Sequence, residues 1–154
     1  MTVQPDLTGI LGEESISVEF SSGLVGIKEW KHFELITHPA GGPLKLLQLR
    51  DDNRVSFILA NPFQIDPGYK VALSGTDATA LKYSNGLQVS SDSVLKVYCV
   101  LSVEEEPFNV TANMLGPIVI NQQAGQGRQI VLTDSSYNTR HPVAAAQSEI
   151  AGGE

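Results

Sequence analysis

The fold is decided by an apolar stretch in the second half of the chain, Val94-Leu95-Lys96-Val97-Tyr98-Cys99-Val100-Leu101-Ser102-Val103. Apolar side chains occupy every second position, and the intervening face is also apolar at Val94, Tyr98 and Val100. A strand with two apolar faces is typical of a position that is buried on both sides. We therefore expect a central β-strand here, with Cys99 in the core.

Outward from this stretch, the chain contains seven further short runs with the composition of strands, bounded by Gly, Pro, Asn, Asp or Ser. They cover 15–20, 33–37, 44–50, 54–60, 69–73, 117–120 and 129–132. The turn formers Asp51-Asp52-Asn53 predict a hairpin between the third and fourth runs. Helix signals are weak, with Thr76-Asp77 as a cap for 78–83 and a second candidate at 142–150. The sequence predicts a mostly β, compact antiparallel barrel-like or sandwich domain with one or two short helices.

Composition predicts one acidic globular domain. The chain has 154 residues, 42% of them hydrophobic, and carries 10 basic against 17 acidic residues, a net charge of -7. We expect one domain over 1–142 and a flexible tail over 143–154. A negative field disfavours nucleic acid and favours basic partners. The single cysteine, the absence of a secretory signal and the lack of a spanning apolar run predict a cytoplasmic protein away from membranes, monomeric when alone.

The sequence contains no recognisable catalytic motif. His32, His38 and His141 have spacings that match no metal site. Gly125-Gln126-Gly127 lacks the lysine and the following helix of a phosphate loop, so a turn between strands explains it better. We expect no enzyme activity, no metal and no cofactor.

Two segments combine acids or prolines with aromatic residues, as protein-binding surfaces do. The first is Glu104-Glu105-Glu106-Pro107-Phe108, which follows the central strand and which could equally be a solvated strand exit. The second is Asn61-Pro62-Phe63, where a strand ending in proline leaves an edge, or where Phe63 packs inward.

Further candidates lie in the second half of the chain. Tyr137 and Arg140 are of the types enriched at interfaces, although Arg140 could pair with a local acid. Asn113 and Asn121 are better explained as residues that hold turns. Trp30 is expected over one barrel end, with an exposed anchor as the alternative.

Six fragments, in this order, resemble the bacterial flagellar assembly factor FliW. They are Gly23-Leu24-Val25-Gly26-Ile27, Ser56-Phe57-Ile58-Leu59-Ala60-Asn61-Pro62-Phe63, Glu106-Pro107-Phe108, Thr111-Ala112-Asn113-Met114-Leu115-Gly116-Pro117-Ile118-Val119-Ile120-Asn121, Gly127-Arg128-Gln129-Ile130-Val131-Leu132 and Tyr137-Asn138-Thr139-Arg140-His141-Pro142. The resemblance implies a cytoplasmic, chaperone-like partner switch. Such proteins bind the translational repressor CsrA, which relieves repression of flagellin synthesis, and they also bind flagellin.

Three other classes of function stay open at this point. A small-ligand-binding β-barrel, catalytic or not, would need a pocket with converging polar or titratable groups, and a general protein-interaction module would need only an exposed surface. An RNA-binding module would need interleaved basic and aromatic residues, whereas Lys and Arg here are scattered and outnumbered.

Overall fold

A computed structural model describes residues 14–37, 42–84, 86–89, 94–133 and 135–143. The strands are β1 (Glu14–Glu19), β2 (His32–Thr37), β3 (Lys45–Leu49), β4 (Ser56–Ala60), β5 (Val71–Ala72), β6 (Gln88–Val89), β7 (Lys96–Glu105), β8 (Phe108–Ala112), β9 (Ile118–Asn121), β10 (Gln126–Gln129) and β11 (His141–Pro142). The helices are α1 (Pro62–Ile65) and α2 (Gly75–Ala80).

Seven strands close into a barrel. The sheet order is β11-β8-β7-β4-β3-β2-β1-β10-β9, and an additional pairing of β7 with β9 joins the two sides of the ring. All pairs in the ring are antiparallel except β1 with β10, which meet in parallel at Glu19 and Gln126. Strands β8 and β11 extend from β7 outside the ring, while β5 and β6 form a separate ribbon. The expected mostly β, barrel-like fold with short helices is confirmed, and β3 with β4 form the expected hairpin.

The wall formed by β4, β7 and β9 separates two hydrophobic cores. Inside the barrel, Tyr98 packs with residues such as Phe20 and Phe33. On the other side, Val97, Cys99 and Leu101 pack against the layer that contains α1, α2, β5 and β6. Because neighbouring side chains of a strand point in opposite directions, β7 supplies both cores at once. The expected central strand is confirmed, and Cys99 is fully buried.

A glycine in β10 makes room for the packing inside the barrel. Phe20 and Phe33 meet edge to face with ring centroids 5.2 Å apart. A Cβ atom on Gly127 would lie 2.6 Å from Cζ of Phe20, which is closer than carbon atoms can approach. Gly125, with φ of +67°, forms the turn before β10. The Gly-x-Gly sequence therefore serves a turn and a close contact between a strand and an aromatic ring.

Polar contacts fasten α2 to the barrel. Ser74 and Asp77 form a capping box at the start of α2, and Nε of Arg128 lies 2.7 Å from Oδ1 of Asp77. Burial acts to raise the pKa of Asp77, but hydrogen bonds from Ser74 and Arg128 outweigh it and hold that pKa below its ordinary value. The buried Asn121 donates to the carbonyl of Leu81 at 2.8 Å, just after the helix. These contacts fix the outer layer in one orientation.

Several expected boundaries were wrong. The strand expected at 129–132 is β10 at Gln126–Gln129, because the turn at Gly125 starts the pairing earlier. The strand expected at 69–73 is reduced to β5, and the helix expected over 78–83 begins at Gly75 because Ser74 provides the cap. Strands β6, β8 and β11 were not predicted as strands.

The structure describes only the first part of the C-terminal region for which we expected a helix and a flexible tail. Val143, where the flexible tail was expected to begin, is buried, and its amide donates to the carbonyl of Val110 at 3.1 Å. The helix expected over 142–150 and the rest of the tail lie outside the described residues, apart from Pro142 in β11 and Val143.

The contact between Gly127 and Phe20 gives a stability test. We expect Gly127→Ala to lower the free energy of unfolding by about 1–3 kcal/mol, because the added methyl group must displace a buried ring. Gly75→Ala is the control, since a Cβ atom there meets no atom within 4 Å. Urea denaturation measures both variants, and an unchanged stability for Gly127→Ala would contradict this packing.

Candidate protein-binding surface

The hairpin of β7 and β8 extends beyond the barrel wall. Strand β7 pairs with β4 only from Cys99 to Leu101, whereas it pairs with β8 as far as Glu105 opposite Phe108. Every residue from 102 to 108 is exposed. We call residues 102–108 the acidic hairpin. It combines acids with two unusually exposed apolar side chains, Val103 at 37% and Phe108 at 40%.

One of the three acids in the acidic hairpin is paired. Nη2 of Arg140 lies 3.0 Å from Oε2 of Glu104, so the alternative in which Arg140 pairs with a local acid is confirmed. Both side chains are more than half exposed, and such a pair contributes little to stability. Within the described residues, Glu105 and Glu106 take part in no ion pair. They leave two uncompensated negative charges beside Phe108.

Four rings form a row, namely those of Phe63, Tyr69, Tyr137 and His141. The row is linked to the hairpin by Arg140, which precedes His141 in the chain and pairs with Glu104. Successive ring centroids are 5.9, 4.8 and 6.5 Å apart, all in edge-on arrangements. We call these residues the aromatic row. The Tyr69 hydroxyl is buried and donates to the carbonyl of Met114 at 2.6 Å, which anchors the row to the outer core.

The half-buried Tyr137 of the aromatic row makes a short polar contact. The hydroxyl of Tyr137 donates to Oδ2 of Asp66 at 2.5 Å. This hydrogen bond, helped by the amide of Gly68, holds the pKa of Asp66 below its ordinary value. The same bond raises the pKa of Tyr137, because the neighbouring carboxylate favours the protonated phenol. At neutral pH the protonated hydroxyl of Tyr137 therefore donates to the ionised carboxylate of Asp66.

The segment Asn61-Pro62-Phe63 forms the start of a short helix and not an open strand edge. Asn61 accepts from the amide of Phe63 at 2.9 Å and caps α1, in which Pro62 is buried at the first position. The expectation of a free strand edge at this proline was wrong, because Asn-Pro starts a helical turn here. Phe63 is half-buried and packs against Tyr69.

The residues predicted from the sequence lie in the acidic hairpin and around the aromatic row, and contacts connect these two groups. Arg140 links Glu104 of the acidic hairpin to the chain segment that holds Tyr137 and His141. Phe63 joins the same region through Tyr69. Sequence reasoning missed Asp66, Tyr69 and His141 as members of this surface, since only the fold brings them beside Tyr137.

The asparagines and the tryptophan have structural roles in the described residues. Asn113 accepts from the amide of Gly116 at 2.9 Å, and Asn121 accepts from that of Ala124 at 3.3 Å, so their expected turn roles are confirmed. Trp30 is half-buried against the barrel core, with its ring 6.2 Å from that of Phe57.

A pocket of about 410 Å³ lies at the other end of β7 from the acidic hairpin, and Phe63 belongs to both this pocket and the aromatic row. Its lining includes Lys45, Asn61, Phe63, Lys96 and Gln122. No acidic side chain is among the described residues that line it. Sequence reasoning missed this pocket because Lys45 and Lys96 come from distant strands.

The described residues offer neither a cluster of metal ligands nor a reactive thiol. They contain no group of three His, Cys, Asp or Glu side chains that could hold a metal ion. Burial raises the pKa of the Cys99 thiol to about 12, so this group is an inert thiol at neutral pH. None of the helices in the described part of the chain has the length and apolarity needed to cross a bilayer.

The Tyr137–Asp66 contact predicts a pH dependence. Because the folded pKa of Asp66 is lowered, the bond contributes stability above the ordinary carboxyl pKa of about 3.9 and loses it as pH falls through the lowered value. We expect Tyr137→Phe to raise the pKa of Asp66, which NMR follows, and to lower Tm by more at pH 7 than at strongly acidic pH. Tyr83→Phe, in a half-buried tyrosine of the same core, is the control. An unchanged Asp66 titration would refute the contact.

Comparisons with known proteins agree with the fold. The family model described as FliW protein matches residues 7–143. The flagellar assembly factor FliW of Desulfitobacterium hafniense (strain DSM 10664 / DCB-2) is 32% identical over 140 residues, which cover 89% of this chain and 88% of that protein. The FliW of Bacillus subtilis (strain 168) is 33% identical over 131 residues, covering 85% and 87%.

A solved structure is similar as well. A crystal structure of the flagellar assembly factor FliW matches with a TM-score of 0.70 and 30% sequence identity, covering 82% of this chain and 84% of that one. The name of these relatives describes an assembly role and no catalytic activity. The family match over most of the chain, the relatives above 30% identity and the shared barrel together show that this chain belongs to the FliW family of flagellar assembly factors.

Proposed function

We propose that this protein is a cytoplasmic partner switch that binds CsrA and flagellin. CsrA holds RNA and must therefore present a basic surface, to which a domain of net charge -7 is complementary. While flagellin accumulates, it occupies this protein, and CsrA is free to repress translation of flagellin. Once flagellin is exported, the vacated protein binds CsrA and synthesis resumes. The switch needs only mass action on linked binding equilibria.

The observation that carries the proposal is the acidic hairpin. Glu105 and Glu106 have no ion pair within the described residues, and both lie next to the exposed ring of Phe108. Charge of this kind accelerates encounter with a basic partner, whereas exposed apolar groups provide most of the affinity once they are buried. Capture at cellular concentrations requires a Kd of about 1 μM or tighter, near -8 kcal/mol, so both contributions are needed.

The aromatic row supports a surface that is fixed before binding. Tyr137 is held by Asp66 and by the ring of Tyr69, and Arg140 is held by Glu104. Side chains that are already ordered lose less conformational entropy when a partner binds. In this proposal Phe108, Tyr137 and Arg140 contact the partner, whereas Asn61, Pro62 and Phe63 support the aromatic row from beneath.

The proposal predicts a salt-dependent association with CsrA. We expect Glu105→Lys combined with Glu106→Lys to slow association by about tenfold at low salt and to flatten its dependence on ionic strength. These two acids are a better target than Glu104, whose substitution would also release Arg140. Stopped-flow or biolayer interferometry with purified CsrA measures the rates.

The matched control is Glu19→Lys combined with Glu29→Lys. It makes the same change in net charge at exposed acids in β1 and in the segment that follows it, and β1 is separated from β7 by two strands of the ring on one side and three on the other. We expect its association rate to stay within about threefold of the unchanged protein, since long-range steering alone is altered. Equal rates for the two double variants would remove the acidic hairpin from the interface.

The same assay tests whether flagellin binding reduces the binding of CsrA, as the partner switch requires. With flagellin added in excess, we expect the fraction of protein bound to CsrA to fall as flagellin rises. If CsrA binding is unchanged at saturating flagellin, the two equilibria are not linked and the partner switch is refuted.

A further inference from the structure

The lysine pocket at the start of β7 is the strongest unassigned feature of the molecule. It lies between the segment that enters β3, the segment that leaves β4 and the first residues of β7. Its volume of about 410 Å³ falls in the range of sites that hold small ligands or a few residues of peptide. Asn61 and Phe63 line it and also support the aromatic row, but the residues proposed to contact CsrA, namely Phe108, Tyr137 and Arg140, are not part of its lining.

The charge of this pocket is opposite to that of the protein. The chain has 17 acidic against 10 basic residues, yet the described lining contains Lys45 and Lys96 and no acid. All four ion pairs in the described residues use arginine, so neither lysine is neutralised there. Nζ of Lys45 donates to Oγ1 of Thr37 at 3.3 Å, which orients the ammonium group without removing its charge.

Neutral groups in the pocket complement the two lysines. The side chain of Gln122 is hydrogen-bonded to Tyr98, and Oδ1 of Asn61 accepts the amide of Phe63, which leaves its NH₂ group as a donor. The half-buried ring of Phe63 supplies an apolar wall. Two ammonium groups, amide donors and an aromatic wall fit carboxylates that are carried on a partly apolar body.

We propose that this pocket binds an acidic peptide segment of a protein partner, with its carboxylates at Lys45 and Lys96. Lysine ammonium groups act as point charges, and the described lining of the pocket contains no arginine, whose forked guanidinium favours phosphate. The negative field of the whole protein further opposes large polyanions such as nucleic acid. A short peptide with two carboxylates matches the local charge and volume.

The position of the pocket makes it independent of the acidic hairpin. Lys96 begins β7 and Glu105 ends it. At about 3.3 Å per residue the two ends are roughly 30 Å apart, whereas charges in physiological salt are screened over about 8 Å. A basic partner at one end and an acidic segment at the other can therefore bind at the same time. The pocket does not rest on the proposed function.

The test is an NMR titration of the isotope-labelled full chain with two unlabelled peptides, Gly-Glu-Leu-Glu-Gly-amide and Gly-Gln-Leu-Gln-Gly-amide. We expect the glutamate peptide to bind at least about tenfold more tightly, with shift changes centred on Lys45 and Lys96. Lys45→Met combined with Lys96→Met keeps the apolar stems and should weaken binding by about tenfold. Inorganic phosphate is the comparison anion and should bind more weakly than the glutamate peptide.

One control tests whether the effect is specific to the lysines of the pocket, and a second tests whether peptide binding is independent of the acidic hairpin. Lys28→Met combined with Lys31→Met removes the same charge at exposed lysines outside the pocket and should leave the Kd within about twofold. Glu105→Lys combined with Glu106→Lys should also leave it within about twofold, even though it alters CsrA association. Equal binding of both peptides, equal effects of the two lysine variants or tighter binding of phosphate would overturn the proposal.

Discussion

The structure depends on the burial of both faces of β7. Val97, Cys99 and Leu101 point into the outer core, while Tyr98 points into the barrel, so one strand joins two hydrophobic cores. A strand in this position cannot move without opening both, and the cost of exposing apolar surface rises with the area uncovered. The fixed position of β7 also determines where its two ends emerge, and both candidate sites lie at those ends.

Both candidate sites lie at the points where the burial of β7 stops. Beyond Leu101 the strand leaves β4, and its acids and Phe108 extend into solvent as the acidic hairpin. At its start, Lys96 and Lys45 line a pocket whose charge is opposite to the net charge of the chain. A rigid strand with oppositely charged ends is compatible with the partner exchange that we propose, because each partner would meet a surface that is formed before binding.

The barrel could be predicted from the sequence, but the candidate binding surfaces could not. The alternation in β1, the turn formers after β3 and the two apolar faces of β7 are local signals, and each was confirmed. The helical turn at Asn61 was missed because Asn-Pro was interpreted as the end of a strand. The contact between Tyr137 and Asp66 could not be predicted, since it joins residues that are distant in the chain. Lys45 and Lys96 likewise share a pocket only because of the order of the strands.

The most direct test of this account is native-state hydrogen exchange along β7. If β7 joins both cores, the amides of Val97 to Leu101 should exchange only through global unfolding, with a free energy equal to that from urea denaturation. The amides of residues 102–106 should exchange at much lower free energy, because the acidic hairpin is exposed. Exchange of Val97 to Leu101 well below the global free energy, or separate unfolding transitions for the two cores, would contradict the account.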